Sequence, residues 1–159
     1  MGAIQQSIWI GAAPSLVWEI YTDLDRIPEW QTGDPRVLEV SGRGDEVGTI
    51  YTVRRGPGAA RTRVTEAMRP ELHRSRTNAY FGLSFDLTAK LLPEQGGTRI
   101  LLQAQTHWPK GLGLLGRVVE YAFLNAHEAN RELERLKVLV ESEAAEEKSA
   151  PLNKPDRVR

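Results

Sequence analysis

The chain has no cysteine. That excludes a disulfide frame, a thiolate nucleophile and any cysteine-ligated metal. It has no excess of either charge, because 21 Lys and Arg balance 21 Asp and Glu. A neutral chain lacks the long-range field that draws proteins to nucleic acid or to an anionic membrane, so neither is expected as a partner. No apolar run approaches the ~18 residues needed to cross a bilayer, so no integral membrane segment is expected. The opening stretch MGAIQQSIWIGAAP has no basic region before its apolar residues, so it is not read as a signal peptide. Gln6 stands where N-myristoylation needs Ser or Thr. These absences fit a cytoplasmic protein. Histidine is scarce: His73, His107 and His127 form no HxH or HxxxH pair, so no metal site is expected. No phosphate loop, Ser-His-Asp order or paired-carboxylate motif stands out, and no cofactor is expected.

What is present suits one domain with one sizeable core, at 159 residues. Residues 1–147 are read as that domain. Residues 148–159 form a polar, Pro-containing tail expected to be disordered. Ile4 to Gly11 reads as a strand with Ile4, Gln6, Ile8 and Ile10 on one face. Pro14 opens a short helix through Tyr21, and a second short helix spans about Leu24 to Trp30. Six strands follow: Asp34–Ser41, Thr49–Arg55, Arg61–Met68, Leu72–Tyr80, a run from Phe81 to Leu91, and Thr98–Trp108. In the third of these, Thr62, Val64 and Met68 alternate against Arg61, Arg63 and Thr65. Glu94-Gln95-Gly96-Gly97 has the composition of a hairpin turn.

The chain is organised around its last helix, roughly Leu114 to Glu147. Its inward stripe is Leu115, Val119, Ala122, Ala126, Ala129, Leu133, Leu136 and Val140, in steps of three and four. Glu128, Arg131, Glu132, Glu134, Arg135 and Lys137 are assigned to the opposite, solvated side, with Glu132–Arg135 and Glu134–Lys137 as surface pairs. Three alanines occupy the middle of the stripe. A tightly packed helix would carry larger side chains there. Either the facing surface comes very close, or a space is left.

Several groups of residues carry a family resemblance. They are Ile10-Gly11-Ala12-Ala13-Pro14 leading into Val17-Trp18, the run Asp23-Leu24-Asp25-Arg26-Ile27-Pro28-Glu29-Trp30, Val47-Gly48-Thr49, Gly97-Thr98-Arg99 and Leu133-Glu134-Arg135-Leu136-Lys137. In this order the chain resembles the helix-grip superfamily over about positions 3 to 143. That superfamily includes START-related lipid-binding domains, polyketide cyclase/dehydratase-like proteins, the coenzyme Q-binding group and Bet v 1 allergens. The resemblance implies an α+β fold. A curved seven-stranded antiparallel sheet wraps around the long C-terminal helix, with two short helices after strand 1. It also implies a deep apolar cavity, which settles the alanine question in favour of a space.

The expected cavity lining is Trp30, Phe81, Leu83, Phe85, Leu102, Ala104, Thr106, Trp108, Ala122, Phe123, Ala126 and Asn130. Trp30 either gates the cavity or caps the core edge, the plainer of the two. Trp108 either closes one end or packs beneath the helix. Asn130 is a candidate anchor for a ligand carbonyl or hydroxyl, although such a residue more often sits in water. Thr52, Thr62 and Thr106 could turn hydroxyls inward or serve only backbone bonds. Asp86 is expected outside. Arg54, Arg55, Arg61 and Arg63 cluster at the Gly56-Pro57-Gly58 turn, but Asp45, Glu46 and Glu66 nearby balance them. The cluster is therefore read as a solvated hairpin.

The first functional expectation is a binding protein for a small apolar ligand, lipid or polyketide-like. The second is a metal-independent cyclase or dehydratase, for which Tyr51, Arg54, His127 and Asn130 are the candidate polar groups. The third is a protein-interaction module of the co-chaperone kind. The oligomeric state stays open, with a homodimer compatible.

Overall fold

A computed structural model describes residues 3–79, 82–111, 114 and 126–150. Strand β1 (Ala3–Ile10) is followed by helix α1 (Pro14–Thr22), a 3-10 turn (Leu24–Arg26) and the four-residue helix α2 (Ile27–Trp30). Strands β2 (Arg36–Leu38), β3 (Ile50–Arg55), β4 (Gly58–Met68), β5 (Leu72–Asn78), β6 (Ser84–Glu94) and β7 (Gly97–His107) come next. The last described helix, α3, runs Ala126–Ser149. All seven strands form one sheet in the order β1-β7-β6-β5-β4-β3-β2. Every neighbouring pair is antiparallel. Five hairpin steps from β2 to β7 account for most of that order, and β1 then pairs on the free side of β7. This is the helix-grip arrangement, with the sheet left open between β1 and β2.

Local chemistry explains the sharpest turn. Gln95 and Gly96 have φ of 49° and 73° between β6 and β7. Two successive positive φ values make the two-residue turn whose twist matches a hairpin. Gly96 adopts that conformation without cost.

The sheet's inner face divides along its length. At one end Ile8, Ile10, Leu91 and Ile100 meet Val17, Trp18 and Ile20 of α1 and Leu133, Leu136 and Val140 of α3. Leu136 and Val140 are completely buried. Among the described residues the helix stripe packs through Leu133, Leu136 and Val140, with the three-four spacing that the sequence shows. At the other end the facing residues are more polar and include Thr62, Ser75 and Thr77.

Several expectations change. β2 has three residues, not eight, because Asp34 and Glu39 take left-handed φ of 48° and 52° and cannot continue a strand. A bulge in β4 between Val64 and Glu66 leaves Thr65 without a partner. It switches the parity, so Ala67 packs against the core and Met68 is exposed. Glu132 is not on the solvated side of α3. It accepts hydrogen bonds from Thr32 N and Oγ1, both at 3.1 Å, and pairs with Arg55 at 3.2 Å. Arg135 donates to the Gln31 and Glu29 carbonyls of α2 and its C-cap, rather than pairing with Glu132. Lys137 pairs with Glu141, not Glu134, and lies 5.3 Å over the Trp9 ring. Helix α3 continues to Ser149, and residues 151–159 lie outside the described residues.

Candidate functional site

A cavity of about 280 Å³ lies between the more polar end of the sheet, α1, α2 and α3. Its floor follows the strand register. Tyr51, Thr62, Thr77 and Phe85 form one row, each opposite the next on the neighbouring strand. Ser75, Leu87, Ala104 and Ile4 form a second row. Leu102 and Gln6 belong to a third. Tyr21, Trp30 and Ala129 face this floor from the helices. Gln31, Arg55, Glu128 and Glu132 make the polar rim. Ala129 explains the space directly: at this level of α3 only a methyl group points inward.

The cavity is apolar with one polar region. Thr62 and Thr77 are buried, with their hydroxyl oxygens 2.8 Å apart. Thr62 also shares a side-chain hydrogen bond with Tyr51. Burial pushes the Tyr51 phenol up, against the partial relief that Thr62 supplies. Tyr21 is raised much further, first by burial and then by the nearby Tyr51 and Glu132. Both phenols therefore keep their protons and can donate. Tyr21 stacks on Trp30 with ring centroids 5.7 Å apart. Among the described residues, the buried Trp30 indole N–H has no hydrogen-bond partner. Buried polar groups normally find partners, so this N–H is an exception.

His73 belongs to the wall behind the cavity. Its ring meets Trp18 and Tyr21 edge-on at 5.8 and 5.7 Å. Its Nε2 lies 2.8 Å from the Gly44 carbonyl, which can only accept, so Nε2 carries the proton. Burial lowers the His73 pKa, while the Gly44 carbonyl and then Asp45 oppose that shift. Loop residue Gly44 lies so close to α1 that an added Cβ would sit 2.0 Å from the Thr22 carbonyl. His73 thus pins a loop that has no room for a side chain.

Among the residues expected from sequence, Trp30, Phe85, Leu102 and Ala104 line the cavity. Leu83 and Thr106 are buried outside the lining. Trp108 is half-buried beyond the end of β7, its indole N–H without a partner among the described residues. Ala126 and Asn130 are exposed on α3, because the inward positions of that turn fall on Ala129 and Glu132. Phe81, Ala122 and Phe123 lie outside the described residues. Of the candidate polar groups, Tyr51 faces the cavity, whereas Arg54 and His127 are exposed. Thr52 bonds the Glu39 carboxylate on the outside. Asp86 is also outside, gripped by Arg76 at 2.7 and 2.8 Å and by His107 at 2.9 Å. Ser75 and Thr77 were not anticipated. Their signal was the alternation of uncharged His73, Ser75 and Thr77 with charged Arg74 and Arg76.

No group of three or more His, Asp or Glu among the described residues could hold a metal ion. No described helix is long and apolar enough to cross a membrane. The structure is similar to that of norcoclaurine synthase from Thalictrum flavum, solved with a transition-state analogue, at TM-score 0.70 and 18% identity, covering 93% of this chain and 96% of that one. It is also similar to protein MLL2253 from Mesorhizobium loti, at TM-score 0.70 and 17% identity over 89% and 98% of the two chains. The Aha1 dimer from Colwellia psychrerythraea matches at TM-score 0.64 and 18% identity, over 89% and 97%. No curated protein matches the chain. The family model for polyketide cyclase / dehydrase and lipid transport matches residues 1–141. With that match covering most of its length, the chain belongs to the polyketide cyclase / dehydrase and lipid transport family.

Proposed function

We propose that the chain binds a small, mostly apolar molecule bearing a carbonyl or hydroxyl oxygen, between the sheet and α3. The observation that carries this reading is an apolar cavity wall with hydroxyl-bearing side chains grouped over one part of it. Phe85, Leu87, Leu102 and Ala104 offer the apolar wall, and Tyr21, Tyr51 and Ser75 offer the hydroxyls. A ligand oxygen placed among them can accept their hydrogen bonds. At about 280 Å³ the space suits a ring system or one short chain, and not a two-chain lipid.

A second reading, a cyclase or dehydratase, draws on the same groups. Protonated Tyr21 and Tyr51 beside the Glu132 carboxylate could polarise a carbonyl in a bent chain held close. The solved norcoclaurine synthase complex with a transition-state analogue makes this worth testing. Native mass spectrometry of freshly purified protein separates binding from emptiness. A retained apolar compound with one oxygen function supports the binding reading. Conversion of that compound on incubation favours the enzyme. A chain that is bare from every preparation and takes up no aromatic ketone contradicts both.

A further inference from the structure

We infer that the outer face of β2, β3 and β4 is a docking surface for an acidic, extended protein segment. Arg36, Arg54, Arg61 and Arg63 are all exposed. The register places them on one face, opposite to the inward Thr62 and Val64. Arg36 stands directly opposite Arg54, and Arg63 directly opposite Arg76. Like charges facing each other across strands oppose folding, so this arrangement is not explained by stability.

The carboxylates that seemed to balance these arginines in sequence are engaged elsewhere. Glu66 pairs with Arg74 at 2.8 Å, and Asp45 and Glu46 lie at 3.0 and 4.0 Å from Arg43. Arg55 turns to the other face and meets Glu132. Elsewhere on the sheet, Arg76 and Arg99 each grip a carboxylate through two hydrogen bonds. Among the described residues, Arg36, Arg54, Arg61 and Arg63 have no such partner.

A carboxylate partner suits the guanidinium fork best. Side chains two apart on an extended segment are roughly 6.6 Å apart, the same step that separates Arg61 from Arg63. β2 is the last strand of the sheet, so its outer edge has no paired strand among the described residues. Exposed Leu38 beside Arg36 adds one apolar contact. Nucleic acid is disfavoured because none of these outward positions is aromatic, and base stacking needs rings. A bilayer is disfavoured because there is no aromatic or extended apolar anchor there.

The test is fluorescence anisotropy with a labelled peptide alternating glutamate and threonine. A lysine-threonine peptide, phosphatidylglycerol vesicles and oligothymidylate are run beside it. The acidic peptide is expected to bind the full chain and to weaken as salt rises toward about 0.15 M. Arg61→Gln with Arg63→Gln should weaken it about tenfold, and Arg36→Gln less, while paired Arg74→Gln stays within about twofold. The double variant should melt at or above the temperature of the parent, since it removes a repulsion. Unchanged peptide binding in the double variant overturns the inference. So does binding that depends on Arg61 and Arg63 but is shown only by the vesicles or the oligonucleotide.

Discussion

Thr62 on β4 and Thr77 on β5 stand directly opposite each other, hydroxyl to hydroxyl at 2.8 Å, in the floor of the cavity. Both are buried. Thr62 has a second partner in Tyr51. The pair is thus the bonded part of a polar region that also includes Tyr21 and Ser75.

That asymmetry predicts unequal costs. Thr62→Val strands two partners and should destabilise by about 1–3 kcal/mol, whereas Thr77→Val leaves Thr62 bonded to Tyr51 and should cost about 0.5–1.5 kcal/mol. The double variant should cost less than the sum, because one change removes what the other would strand. Urea unfolding of the four proteins measures all three quantities. Additive costs would show that the hydroxyls do not depend on each other.

His73 sets a pH dependence. Its folded pKa lies below the ordinary value of about 6.5, chiefly through burial. The unfolded chain therefore binds the proton more readily. The stability contributed by neutral His73 is full above pH about 6.5 and falls as pH drops toward the lowered folded pKa. The carboxylates lowered by arginine partners, Glu29, Asp86 and Glu94, act further down, below their own ordinary range of about 4. His73→Phe should flatten the stability curve just below pH 6.5, at about 1 kcal/mol lower overall stability for the lost Gly44 bond. An identical slope in parent and variant would place the titration elsewhere.

Glu132 ties α3 to the cavity rim. Glu132→Gln keeps an acceptor for Thr32 and loses only the Arg55 ion pair, so it should cost less than about 1 kcal/mol. Glu132→Ala also orphans the Thr32 N–H and should cost about 1.5–3 kcal/mol. Thermal unfolding distinguishes the two. Equal effects would mean that charge, and not hydrogen bonding, holds the rim.

Much of this was legible in the sequence, for reasons that vary by element. β6 and β7 could be read because Phe85, Leu87, Ala89 and Leu91 alternate with polar residues, and one face is buried. The packing face of α3 could be read because Leu133, Leu136 and Val140 share a stripe. β2 could not, because the left-handed Asp34 and Glu39 break a run whose composition looks extended. The bulge at Thr65 depends on the partner strand and leaves no local mark. The cavity floor was obscured for a different reason: β5 turns His73, Ser75 and Thr77 inward, and a polar inner face has no hydrophobic signal. Glu132 was misread because charge on a helix usually means solvent, and here it means a rim shared with Thr32 and Arg55. Ala126 was placed in the lining by the same stripe that includes Ala129, one turn too early for the described part of the helix.

The central claim is that the space over Tyr51, Thr62 and Thr77 receives a ligand, and Ala129 is the residue that keeps it open. The direct measurement is titration of a solvatochromic naphthyl ketone into the parent and into Ala129→Trp, each checked for cooperative melting. The parent should take up the probe with a saturating blue shift, and the folded Ala129→Trp chain should take up at least about tenfold less, since an indole fills the space between helix and sheet. Equal uptake by both folded proteins would contradict the account.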